Sequence, residues 1–287
     1  MIRLATFENN SFEPFKTISQ ESYDLLRADC DVLKKSYTQF VVFKNLQLNL
    51  KDYFDFIDKW TNVPAYKMDV RIANDIHFVM YANKLILNVL MSFIFFVDNA
   101  KAFTKRNHGV KAQESFILLT NEIYDKSFAY RFLYKLRNYS VHLGFALEVI
   151  NIGINFNHKN PEISEHSIKL LVDLDLLLKE KKLFGKRVHD ELKEMKDSDT
   201  ELNLIPLINE LSHYIMELQK NIYSFQKEEL TNSIENMEMF VGNNKTKTNA
   251  IKVYHNIERK GKEVSFSVYD VPYDMLTEFK NTYKNWC

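Results

Sequence analysis

A chain of 287 residues, 46% hydrophobic and 14% aromatic, can bury a large core, and its 38 Lys and Arg balance 38 Asp and Glu. Zero net charge excludes a surface that is basic as a whole, so a polyanionic partner would have to meet a local patch. The two cysteines, Cys30 and Cys287, form no CxxC pair and no Cys/His zinc spacing, which argues against a disulfide framework or a zinc site and for a reducing, cytoplasmic home.

The N-terminus, MIRLATFENN, lacks the apolar run of a signal peptide. Gly and Pro are scarce, so long helices are expected. Residues 17–36 read as a first amphipathic helix, with Ile18, Tyr23, Leu25, Leu26 and Leu33 among charges. Gln39 to Phe43 (QFVVF) is short and β-prone, and Asn49 reads as the N-cap of a helix to about Trp60, with Pro64 breaking the chain. Asp69 to about Arg106 reads as one long helix, apolar almost all round in its middle. Its core, Ile76 to Val97, is interrupted by His77, Asn83, Lys84 and Asn88, which favours a buried central helix over a bilayer span and a protein without a membrane. Asn107-His108-Gly109 ends it. Lys111 to about His142 is helical again with a break near Asp125 to Ser127, and Gly144 stops it. Phe145 to Phe156 and Ile168 to Asp173 suggest an inserted hairpin around a turn at Asn157 to Pro161. Leu174 to Met195 and Leu204 to about Phe240 return to helix. Ala250 to Asn256 and Val264 to Val271 read as a hairpin around a Lys-Gly turn, followed by a short helix from Tyr273.

The expected fold is therefore mainly α: a helical bundle with long central helices, a small β-hairpin insertion and a C-terminal β-hairpin. The expected divisions are a helical segment over 1–65, the bundle over 66–240, and a hairpin plus helix over 241–287.

The stretch that suggests chemistry is Arg137 to His142, RNYSVH. On a helix, five positions leave Arg137 and His142 roughly 140° apart. Asn138 falls between them, four residues before His142 and on its face. Tyr130, Arg131 and Tyr134 project onto the same broad arc. The opposite arc carries Phe128, Phe132, Leu136, Tyr139 and Leu143 at core spacing. From Lys126 to His142 every charged side chain is basic: Lys126, Arg131, Lys135 and Arg137. Interleaved with tyrosines, these make a local patch suited to RNA, though a solvated basic face at a helix C-terminus has the same composition. Arg71 and His77 form a second Arg/His pair, six apart, in a dense apolar helix, and read as a chance match. Asp173 and Asp175, with no third ligand at spacing, read as solvated positions, and Arg187 and His189 as surface residues.

FAYRFLYKLRNYSVHLG resembles the motif helix of HEPN-domain proteins, in which an Arg followed by a polar residue precedes a His by a few positions and a Gly follows. Arg137, Asn138 and His142 match these places; the resemblance covers about twenty residues, and the tail from Ala250 has no counterpart in it. What it implies is a HEPN-like helical bundle and an endoribonuclease without metal or cofactor, working as a homodimer with two motifs across a cleft. His142 would be acid or base, Arg137 the phosphate clamp, and Asn138 the residue orienting substrate or His142. Arg131, Tyr134 and Lys135 would contact RNA. Such enzymes serve as toxins or anti-phage defence effectors, restrained by an antitoxin or regulatory protein, for which residues 145–173 and 250–287 are candidate control surfaces. The alternative implied by cleavage-deficient relatives is a non-catalytic dimeric binding module.

Overall fold

The computed structural model describes residues 2–63, 70–155, 165–261, 263–284 and 286. It is mainly α-helical, with small antiparallel sheets. The chain divides into two compact units, Met1–Val41 with Tyr223–Cys287, and Val42–Ile222. The boundaries thus fall elsewhere than at 65/66 and 240/241. The reason is a sheet that joins the two ends of the chain, a pairing no local sequence window reveals.

In the first unit, β1 (Ile2–Glu8) and β2 (Ser11–Ile18) form a hairpin absent from the sequence reading. Glu8 pairs with Ser11, so Asn9 and Asn10 make a two-residue turn, both at positive φ (49° and 59°). Asparagine tolerates that conformation, and such turns match the twist of paired strands. β6 (Ala250–Lys260) and β7 (Glu263–Asp270) complete a sheet of order β2-β1-β6-β7. The C-terminal hairpin is as expected, with Gly261 at φ 66° at its turn. Leu4, Ile251 and Val253 pack with Leu26, Cys30 and Leu33, with Met237 of α8 (Lys227–Val241) and with Leu276 and Phe279 of α9 (Tyr273–Tyr283). Leu26, Cys30 and Leu33 belong to α1 (Gln20–Thr61), a helix that contributes residues to both units. QFVVF lies inside it: Phe40, Val42 and Phe43 are buried there, so tertiary burial overrides β-propensity. Asn49 is likewise mid-helix and caps nothing.

The second unit is built around α2 (Ile76–His108). The long helix expected from Asp69 starts later: Val70–Asn74 is a 3-10 turn, and the Asp75 carboxylate caps α2 by accepting from His77 N–H at 2.8 Å. Pro64 lies outside the described residues. Among the described residues α2 is long and apolar enough to cross a bilayer by composition, but 56% of its most apolar window is buried inside the protein. Gly109, at φ 87°, separates α2 from α3 (Val110–Lys126), and Ser127 separates α3 from α4 (Phe128–Leu143), as the sequence suggested. β3 (Val149–Asn155) pairs antiparallel with β4 (Glu165–Asp173), confirming the inserted hairpin, while its turn at 157–161 lies outside the described residues. An unforeseen third strand, β5 (Glu201–Asn203), joins β4. The helix expected over 174–195 is two, α5 (Leu174–Leu178) and α6 (Lys181–Lys196). The one expected over 204–240 is α7 (Leu204–Ser224) and α8. Asp173 is the N-cap of α5, accepting from Asp175 N–H, and Asp175 pairs with Lys196. His189 is buried, its Nε2 3.1 Å from the Leu178 carbonyl, and so is not the surface residue expected.

Candidate functional site

The motif helix α4 is a core element. Ser127 opens it: its Oγ accepts from Tyr130 N–H at 3.0 Å and donates to Glu210 at 2.5 Å. Phe132, Leu136 and Tyr139 form the expected buried stripe, with Phe184 of α6 stacked on Phe132 and tilted against Tyr139. Leu143, expected to extend that stripe, is exposed instead, because the helix ends there. The other arc is less open than its sequence implied. Tyr130 is buried edge-on against Phe93 of α2, and burial pushes its phenol well above its ordinary value.

Arg131 is the clearest departure from expectation. It is only 4% exposed. Its Nη1 donates to the Tyr124 and Asp125 carbonyls at 2.6 and 2.9 Å, and its Nε and Nη2 pair with the Glu191 carboxylate. Tyr124 and Asp125 lie in the last turn of α3, where carbonyls have no helical partner. Arg187 adds to the same end, donating to the Asp125 carbonyl and carboxylate at 2.7 and 2.9 Å. The planar fork of Arg131 thus closes α3, and its donors are engaged. It leaves the set of candidate RNA contacts. Tyr134 and Lys135 are half-buried, Tyr134 edge-on to Tyr124.

Arg137 lies six residues further on and is placed differently. Its Nη1 donates to Asn138 Oδ1 at 3.2 Å, while its Nε is buried without a hydrogen-bond partner among the described residues. Asn138 therefore acts on the guanidinium. Arg137 lines a cleft of about 580 Å³ between α1, α2 and α4 within the second unit. Asn45 and Asn49 of α1 and Asn88 and Ser92 of α2 supply amides and a hydroxyl, Met91, Ile94 and Phe95 supply apolar surface, and Asp98 supplies a carboxylate. Phe95 is 56% exposed, although it belongs to the most apolar stretch of the chain.

His142 lies on the exposed last turn, about 7.5 Å along the helix axis from Arg137. It does not line the Arg137 cleft. Gly144, at φ 104°, ends the helix, and the chain beyond is anchored by buried Asn83 of α2. That amide donates to the Leu147 carbonyl at 2.9 Å and accepts from Leu147 N–H at 3.2 Å. Asn83, one of the polar residues that interrupt the apolar run of α2, therefore fixes the exit of the motif helix. Among the described residues no group of three or more His, Cys, Asp or Glu side chains is placed to hold a metal ion.

The sequence singled out Arg137, Asn138 and His142 as candidates but not the walls of the cleft that Arg137 lines. Asn88, Met91, Phe95 and Asp98 recur at three- and four-residue steps, so one stripe of α2 was readable. Asn45 and Asn49 join it only through packing. The class of protein thus defined is a mainly helical one with an arginine-lined cleft against its central helix. Comparison goes no further: no protein-family model, no curated protein and no solved structure matches this chain.

Proposed function

We propose that this protein is a metal-independent endoribonuclease of the HEPN type, its bundle carried by the second unit, acting in the cytoplasm as a toxin or defence effector. The observation that carries the reading is Arg137 lining an accessible cleft on the same helix that presents an exposed His142. A guanidinium lining a cleft suits a phosphate, whose oxygens it bonds in charge-assisted fashion.

In the reaction, the ribose 2′-OH attacks the adjacent phosphorus and the bond to the 5′-oxygen breaks, leaving a 2′,3′-cyclic phosphate and a 5′-hydroxyl. An imidazole removes the 2′-proton or protonates the leaving oxygen. The guanidinium braces the added negative charge of the transition state. Because one chain's cleft takes in Arg137 and not His142, the imidazole reaching that phosphate comes from a second copy, and the working unit is a homodimer. Tyr134 and Lys135 flank the RNA path. An antitoxin or regulatory partner restrains the enzyme, with residues 250–287 as its docking region.

The test is RNA cleavage by the full chain and by His142→Ala and Arg137→Ala. Each substitution is expected to abolish cleavage while thermal melting stays as in the parent. Cleavage at the parent rate in both variants overturns the proposal, and loss of cleavage on chelation overturns its metal independence. The absence of His142 from the cleft also favours a second reading, a non-catalytic helical dimerisation module. That reading predicts a dimer without cleavage by the unaltered chain.

A further inference from the structure

The cleft beside Arg137 has a composition that a phosphate alone does not call for. Its lining residues include one guanidinium, Arg137, and one carboxylate, Asp98, so the lining itself carries no net positive charge, and Lys101 Nζ lies 3.8 Å from Asp98 Oδ1 at its edge. A pocket for a bare polyanion would be basic throughout. Its other walls include amides, Asn49 and Asn88, and an accessible ring and thioether, Phe95 and Met91. The amides both donate and accept, the carboxylate only accepts, and the ring is a flat apolar surface. From Asn88 to Asp98 the α2 wall extends about 15 Å. Its volume, about 580 Å³, lies in the usual range for a small-molecule site.

We propose that this cleft is a base-reading subsite. It holds one unstacked nucleotide of single-stranded RNA, with the phosphate on Arg137 and the base against Phe95. The inference rests on the ribonuclease reading and adds substrate selection to it. A carboxylate at Asp98 and amide oxygens at Asn49 and Asn88 accept from exocyclic amino groups, which adenine, cytosine and guanine carry and uracil lacks. An unstacked base on an aromatic side chain is how proteins read single strands, and the stack tolerates any base while the edge contacts discriminate. Phe95 is therefore the affinity residue of the subsite and Asp98 its selectivity residue. Base-paired RNA, whose edges are engaged and whose bases are stacked, is refused.

The experiment uses the full-length His142→Ala protein, so that bound RNA is not consumed, and fluorescein-labelled oligoadenylate, oligocytidylate and oligouridylate octamers read by anisotropy. Adenylate and cytidylate are expected to bind at least about tenfold tighter than uridylate. Adding Phe95→Ala should weaken all three about tenfold, and Phe95→Trp should restore binding, because a stack needs only a ring. Asp98→Asn should shrink the preference over uridylate. Both residues are exposed, so neither change removes core packing. Affinities and preference indifferent to Phe95→Ala and Asp98→Asn overturn the inference.

Cleavage of mixed-sequence RNA by the unaltered chain is measured alongside. Cleavage that requires His142 but ignores Phe95 and Asp98 overturns the subsite and leaves the nuclease reading standing. Binding with the expected preference but no cleavage overturns the nuclease reading and leaves the subsite. Neither binding nor cleavage overturns both.

Discussion

The first and second halves of α4 each carry an arginine, and the two have opposite surroundings. Arg131 is buried, paired with Glu191 and bonded to the carbonyl end of α3. Arg137 lines an accessible cleft, and its buried Nε has no acceptor among the described residues. Six residues apart, on one helix, the same side chain is a structural clamp in one place and a candidate ligand clamp in the other. Satisfaction of donors, rather than residue type or basic patterning, separates the two.

That contrast is broken most readily at Arg131. Arg131→Ala would leave Glu191, 26% exposed, with the longer Arg187 pair at 3.9 Å and would take the donor from the Tyr124 carbonyl, and is expected to lower stability by about 3 kcal/mol. A clear fall in melting temperature would show it; melting at the parent temperature would make Arg131 dispensable to the fold. Arg137→Ala should behave in reverse, shifting stability by no more than about 0.5 kcal/mol while RNA cleavage falls by about 100-fold or more. Urea unfolding and single-turnover cleavage on the same sample make the comparison, and equal destabilisation by the two substitutions would erase it.

Ser127→Ala removes the N-cap of α4 and a bond to Glu210, and should cost about 1 kcal/mol in urea unfolding. A cost confined to stability, with cleavage per folded molecule unchanged, places that half of the helix outside the chemistry. The smallest effect sharpens the contrast by pH. Burial raises the Tyr130 phenol above its ordinary value of 10.0, so the folded state holds that proton when the unfolded chain has lost it. Its contribution is whole below about pH 10 and is lost as pH rises through the folded-state value. Tyr130→Phe should flatten the decline in stability above pH 10; an identical decline in the variant would assign the alkaline transition to other groups.

Much of the fold was readable in chain order. Gly109, Ser127 and Gly144 punctuate the helices where expected, because a positive φ or a capping hydroxyl is a local requirement that residue type reveals. The Phe132, Leu136 and Tyr139 stripe was readable for the same reason, since helical period depends only on neighbours along the chain. The β1–β2 hairpin was also locally encoded, by Asn9-Asn10 between alternating strands, yet its partner β6 lies some 250 residues away, and so the unit it builds was not. QFVVF shows the limit from the other side: its β-prone residues lie in a helix because that helix buries them.

The amino-acid order alone therefore determined a mainly helical chain, its breaks at Gly109, Ser127 and Gly144, and an Arg-Asn-His group on the last turns of one helix. Tertiary structure decided which arginine is engaged, where the cleft lies, which amides and ring line it, and that His142 stays outside it. Periodicity assigns a residue to a face of its own helix. Whether that face meets water, carbonyls or a second helix depends on chain segments distant in sequence.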